Sequence, residues 1–286
     1  MPVNEPTAMY RMLHAESIAV IGASEDRNKF GGRLIYNLIH HGFKGTLYPI
    51  NPKRETIFDL KAYPNITALP SGPDVAAVAV PAKALSETLR GCAKMGVKVA
   101  IVITSQMAES GEEGAKLQDE AVAIAREAGM RILGPNCLGA LNAQADVCLS
   151  PSVTMAVDKL PKGRVGVASQ SGALQTAMFI RAFDAGVGFS SCITVGNQAD
   201  LELSDGFEYL VDDPDTDAIF VYVEGIKDLE RFRTAAQKAR AANKPVVAVK
   251  AGRTEEGAAM ANSHTASLTG SYDAFVALCE SLGIID

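Results

Sequence analysis

Short apolar runs rich in Val, Ile and Ala recur along this 286-residue chain, each followed by a longer stretch that mixes small apolar and charged residues. In the first half the runs lie at 17–21, 46–50, 74–80, 97–104 and 131–133, and the longer stretches at 31–41, 82–95 and 112–128. Their composition and periods predict strands and helices respectively. The strands are apolar throughout rather than at every second position. Strands of that kind are buried on both faces, which predicts mostly parallel sheets with helices on both sides, an α/β fold. The pattern lapses between about 141 and 163, a segment with two prolines and no clear period, read as a linker with room for a short extended piece. It then restarts, with strands at 164–168, 189–194, 217–223 and 245–251 and helices at 173–185, 204–210, 229–241 and 271–282. Two α/β domains are expected, residues 1–146 and 147–286. The length agrees, since domains usually run to about 100–200 residues.

Composition narrows the function classes. Hydrophobic residues at 48% and charged residues at 21% suit a folded core. The 27 Lys and Arg against 33 Asp and Glu leave a net charge of -6, which argues against a nucleic-acid partner. No apolar run approaches the roughly 18–20 residues that span a bilayer, so no membrane association is expected. The N-terminal segment has no basic flank followed by an apolar stretch and does not read as a signal peptide. Five cysteines, none in a C-x-x-C spacing, and four scattered histidines give neither a disulfide framework nor a metal site. They fit a reducing cytoplasm.

The candidate chemistry sits where strands end. The first strand runs into Gly22-Ala23-Ser24, a glycine turn before a helix, where backbone N–H groups and the helix dipole can face a phosphate. The spacing is not G-x-G-x-x-G, and a plain tight turn explains it about equally well. An NAD site would place an acid at the end of the second strand; here stand Lys53 and Arg54. Two cations suit a phosphorylated ribose, either the 3'-phosphate of coenzyme A or the 2'-phosphate of NADP, unless they are only a solvated turn. Val80-Pro81, Thr104-Ser105 and Gly134-Pro135-Asn136-Cys137 end the next three strands on the same sheet edge.

The second domain opens with Ser169-Gln170-Ser171-Gly172 between a strand and a helix. This is not a G-x-S-x-G nucleophile elbow, because Ser169 stands where glycine is required. Hydroxyls and free N–H groups at a helix start suit a phosphate or carboxylate, or simply cap the helix. Glu224 ends the strand Ile-Phe-Val-Tyr-Val, and His264 lies in a long run of small and polar residues after the last strand. That histidine is open to reading as a nucleophile, a general base or an exposed side chain.

The stretches IAVIGAS, YPINPK, VAVPA, GPNCLG, GRVGVASQSGAL, VEGIKD and KAGRTEEG–SHTASLTG, in this order, resemble the α-type half of the NDP-forming acyl-CoA synthetases, the succinyl-CoA synthetase superfamily. The likeness is greatest to the ADP-forming acetyl-CoA synthetase branch. The resemblance implies a Rossmann-like CoA-binding domain followed by a flavodoxin-like ligase domain. It implies that His264 carries a phosphoryl group and that Glu224 supports it. It places phosphate binding on Ser169, Gln170, Ser171 and Gly172, and CoA contacts on Gly22, Ala23, Ser24, Lys53, Val80, Pro81, Asn136 and Cys137. The implied reactants are coenzyme A, inorganic phosphate and a small carboxylic acid, with ATP or ADP and Mg bound by a partner. These residues contain no ATP-grasp domain, so a β-type subunit or a further domain is expected to supply it, in an oligomeric enzyme. The competing expectation is a non-catalytic CoA-binding or regulatory module; an NADP-linked oxidoreductase is a weaker one.

Overall fold

The structure, a computed structural model, describes residues 5–254 and 272–286. The first half runs α1 (Ala8–Leu13), β1 (Ser17–Ile21), α2 (Phe30–His40), β2 (Thr46–Ile50), the two-residue strands β3 (Thr56–Ile57) and β4 (Leu60–Lys61), β5 (Val75–Val78), α3 (Leu85–Lys94), β6 (Val99–Val102), α4 (Glu112–Glu127) and β7 (Arg131–Leu133). Its sheet is parallel in the order β2-β1-β5-β6-β7. Every residue of β5 and β6 is buried, as the unbroken apolar runs require. Helix α2 lays Leu34, Ile35 and Leu38 into the core. Its first turn approaches β1 closely: a Cβ at Gly31 would lie 2.0 Å from the Gly22 carbonyl oxygen.

The second half contributes β8 (Ala140–Asn142), β9 (Val147–Leu149), β10 (Lys162–Ser169), α5 (Gly172–Asp184), β11 (Phe189–Thr194), α6 (Leu203–Asp212), β12 (Ala218–Val223), α7 (Leu229–Ala241), β13 (Val246–Lys250) and α8 (Tyr272–Leu282). The sheet order is β13-β12-β10-β11-β8-β9. Strands β10 to β13 are parallel, while β8 pairs antiparallel with β11 and β9 antiparallel with β8. Part of the segment read as a linker therefore forms a hairpin that widens the second sheet. Its turn is closed by Asn142, whose Oδ1 accepts from the N–H groups of Gln144 and Ala145. The expected domain boundary at 146 falls inside this hairpin.

Helix α1 has no counterpart among the sequence-based expectations. Thr7 caps it, and it buries Met9, Met12 and Leu13. At its end the His14 ring lies 3.0 Å from the hydroxyl of Tyr209 on α6, tying the N-terminal segment to the second domain, and burial lowers the pKa of that histidine. Further contacts join the halves. The Asp200 carboxylate, 2% exposed, accepts from Arg131 Nε at 2.8 Å, from the Ile132 N–H at 2.9 Å and from Arg126 Nε at 3.3 Å. Asn37 on α2 donates to the Ser150 carbonyl just after β9 at 2.7 Å. Among the described residues no helix is long and apolar enough to cross a membrane, and no cluster of side chains could hold a metal ion.

Candidate active site

In each sheet the parallel strands reverse their order once. In the first the reversal falls between β1 and β5, in the second between β10 and β12. Loops leaving the carboxyl ends of two such strands turn to opposite faces and open a crevice, where ligands bind in folds of this type. The Gly22-Ala23-Ser24 and Val80-Pro81 turns flank the first crevice. The Ser169-Gln170-Ser171 turn and Glu224 flank the second.

At the first crevice the backbone is tightly drawn. Gly22 has φ +87°, and a Cβ there would meet the Ala79 carbonyl oxygen at 2.3 Å, so the position needs glycine both for its conformation and for space. The N–H groups of Gly22 and Ala23 both donate to the Ile50 carbonyl, at 3.1 and 3.2 Å. Asn51 Nδ2 donates to the Ala23 carbonyl at 2.8 Å, and Asn51 Oδ1 accepts the Lys53 N–H at 2.8 Å. The turn after β1 and the turn after β2 are thus one braced unit that leaves Lys53 exposed at its rim. Val80 accepts from the Thr104 hydroxyl at 2.8 Å, and Asn136 donates its N–H to the Thr104 carbonyl at 2.9 Å. Three strand ends are joined through Thr104. Cys137 is buried, with Sγ 3.5 Å from the Val102 carbonyl, and burial pushes its thiol up to about 12.

At the second crevice the side chains of the Ser-Gln-Ser-Gly turn are turned inward. The Ser169 hydroxyl donates to the Ser171 carbonyl at 2.8 Å, and Ser171 Oγ caps α5 by accepting from the Leu174 N–H. Gln170, 4% exposed, spends its amide on the strand-end loop opposite: Nε2 donates to the Gly225 carbonyl at 2.8 Å, and Oε1 accepts from the N–H groups of Glu224 and Gly225. What remains for an anion is the first turn of α5. The N–H groups of Gly172 and Ala173 have no carbonyl partner among the described residues, as helix geometry dictates for the opening turn. One helix terminus favours an exposed anion by only about 0.3–1 kcal/mol, so affinity depends on several donors aimed together. Glu224 is 7% exposed, and it also helps raise the pKa of neighbouring Tyr222, second to burial.

Of the residues expected to contact CoA, Asn136 and Cys137 line a cavity shared with the second domain, whereas Gly22, Ala23, Ser24, Lys53, Val80 and Pro81 lie outside its wall. The cavity, of about 280 Å³, is lined by Ser105, Asn136, Cys137 and Leu138 from the first sheet's loops and by Gln170, Ser171, Gly172, Ala173 and Glu224 from the second. Phe30, Ile103, Gly196 and Asn197 complete its wall. Gly196-Asn197, after β11, escaped the sequence reading, although a Gly-polar step after a strand was the signal used at the other turns. Gly196 lets the two domains' loops touch, since a Cβ there would meet the Pro135 carbonyl oxygen at 2.3 Å. The Asn197 N–H donates to that same carbonyl at 2.9 Å, and its amide side chain donates to Glu109 and Gln118. His264 lies outside the described residues.

Paired α/β domains whose strand-end loops close on a shared cavity, with an acid beside a helix start on the second domain's side, define a two-domain α/β architecture with its candidate site at the domain junction. The family comparisons agree. Residues 16–143 match a CoA binding domain and residues 162–286 a succinyl-CoA ligase like flavodoxin domain. The chain is 40% identical over 278 residues, 97% of its length, to acetate–CoA ligase (ADP-forming) I of Archaeoglobus fulgidus, and spans 40% of that protein. It is 41% identical over 268 residues, 94% of its length, to the α subunit of acetate–CoA ligase (ADP-forming) II of Pyrococcus furiosus, of which it spans 57%. Among solved structures, a dinucleotide forming acetyl-coenzyme A synthetase 1 of Ca. Korarchaeum cryptofilum, in complex with phosphate and ADP, superposes with a TM-score of 0.89 at 38% identity. That match covers 96% of this chain and 58% of the other. The chain belongs to the ADP-forming acyl-CoA synthetase family, as its α-type CoA-binding and ligase domains. It spans roughly half the length of the relatives it matches.

Proposed function

We propose that this chain is the CoA-binding and phosphoryl-carrying part of an ADP-forming acyl-CoA synthetase. The observation that carries the proposal is the cavity in which the loops after β6 and β7 of the first domain face the start of α5 and Glu224. CoA lies on the first domain, over Gly22-Ala23-Ser24 and Val80-Pro81, with Lys53 at the rim for its ribose phosphate and the Asn136-Cys137 turn beneath its thiol end. Glycine at position 22 lets this turn pack against the Ala79 carbonyl, which a Cβ would meet at 2.3 Å, and so keeps the β1 and β5 strand ends together beneath the ligand. Inorganic phosphate sits at Ser171-Gly172, against the free N–H groups of the first turn of α5.

From that arrangement a phosphate oxygen attacks the thioester carbonyl of acyl-CoA, the C–S bond breaks, and CoA leaves from an acyl phosphate. A neutral imidazole nitrogen of His264 then attacks phosphorus, and the carboxylic acid leaves as its carboxylate. The phosphohistidine delivers its group to ADP, and synthesis of acyl-CoA runs the steps in reverse. Glu224 holds the second ring N–H of His264 and stabilises the cation formed on attack. The nucleotide, with Mg, belongs to an ATP-grasp partner subunit or domain, in an oligomeric assembly. Five free, buried cysteines suit the cytoplasm, where we place the enzyme.

Incubation of the chain, assembled with its ATP-grasp partner, with acetyl-CoA and radiolabelled phosphate tests this reading. The protein gains an acid-labile, base-stable label. H264N abolishes it while the CoA dissociation constant is unchanged, and E224Q slows labelling without unfolding the chain. Labelling of H264N at the wild-type level overturns the mechanism.

A further inference from the structure

We propose that Gln170 is a positioning residue that fixes Glu224, rather than a ligand of phosphate. The inference rests on the functional reading above and assigns a residue within it. Gln170 follows β10 directly, and Glu224 follows β12, the strand hydrogen-bonded to β10 in the second sheet. All three side-chain hydrogen bonds of Gln170 go to the backbone of that neighbouring loop. Its Oε1 takes the N–H groups of Glu224 and Gly225, and its Nε2 gives to the Gly225 carbonyl. The Gln170 N–H itself donates to the Tyr222 carbonyl at 3.3 Å. The peptide that carries the Glu224 carboxylate is therefore held on both its N–H side and the following carbonyl by one buried amide.

Only a primary amide does this. It accepts with one end and donates with the other, in a plane fixed by conjugation. Nothing in a helix-start turn requires a brace of this kind, since Ser171 already caps α5. What the brace adds is a fixed distance between the phosphate-binding turn and the acid that faces it. Such a constraint matters because a catalytic group displaced by about 1 Å can cost on the order of a hundredfold in rate.

Two variants separate positioning from plain structural support. Q170E is isosteric and keeps an acceptor for both N–H groups, but it faces the Gly225 carbonyl without a donor and adds a second carboxylate beside Glu224. Like charges at that range raise the pKa of each acid. The rate of phosphohistidine formation from acetyl-CoA and phosphate should then show an acidic limb shifted up by about one pH unit, with CoA binding unchanged. Q170M removes the brace without adding charge. It should lower the labelling rate at least tenfold at every pH, again with wild-type CoA affinity. Q170E decides the matter even where Q170M fails to fold. Either variant labelling at the wild-type rate with an unshifted profile overturns the proposal, as does a Q170E loss that is equal at every pH. Absence of any label in the wild-type assembly instead overturns the functional reading beneath it.

Discussion

Cys137 shows how a residue's chemistry depends on its surroundings. In the sequence it stands in a strand-end turn expected to touch CoA, and a thiol there invites a role in thioester exchange. The structure buries it, and desolvation pushes Cys137 and Cys148 up to about 12 and Cys279 to about 11. The thiolate is the reactive form, so these side chains are inert at neutral pH. A thiol reagent at pH 8 should leave all five cysteines of the native protein unlabelled over minutes and label five after denaturation. Fast labelling of Cys137 in the native state would show an open, ionised thiol. C137S should bind CoA within about twofold of wild type, because the position contributes volume and backbone rather than sulfur chemistry.

At the scale of elements, glycines measure how closely two pieces of backbone approach. Helix α2 meets the turn after β1 at Gly31, where a Cβ would overlap the Gly22 carbonyl oxygen. The obstacle is main chain and cannot rotate away. G31A should lower the free energy of unfolding by about 1–3 kcal/mol in urea titration and weaken CoA binding, since the braced turn must move. Gly206, within α6, is the control. A Cβ there meets Ile193 and Ala168 side chains at 3.5–3.6 Å, ordinary contact distance. G206A should stabilise the protein by about 0.5–1 kcal/mol and leave CoA binding alone. Equal effects of the two substitutions would show that the approach of α2 to β1 does not constrain this position.

In the whole molecule the site exists only while the two domains stay docked, and Asp200 is the central tie. Its arginine partners are half exposed, so those ion pairs contribute little each. The larger loss on truncation is the Ile132 N–H, whose carboxylate acceptor vanishes at a seam of low solvent access. D200A should cost about 1–3 kcal/mol in guanidinium unfolding and separate the single transition into two. D200N, which keeps one acceptor oxygen, should recover part of the loss. An unchanged, single transition in D200A would place the docking energy elsewhere, in the backbone bonds from residues 197, 199 and 201 to Pro135, Gly134 and Ile132 and in the Asn37–Ser150 and His14–Tyr209 contacts.

Much of this was legible along the chain. The strands at 17–21, 46–50, 131–133 and 189–194 coincide with β1, β2, β7 and β11: β1 and β11, inside their sheets, need an apolar run, the edge strands β2 and β7 bury only their last two residues, and the helices between them need an apolar stripe. The strand-end turns were legible too, since glycine and proline mark sharp changes of direction. Helix α1 and the β8–β9 hairpin were not. Six-residue and three-residue elements carry too few positions to show a period, and packing against the rest of the molecule holds them in place. The internal commitment of Gln170, the burial of Cys137 and the bridging Asn197 were equally hidden. Each depends on a partner dozens of residues away, and such pairings are settled only when the two sheets fold and their carboxyl edges close on one another.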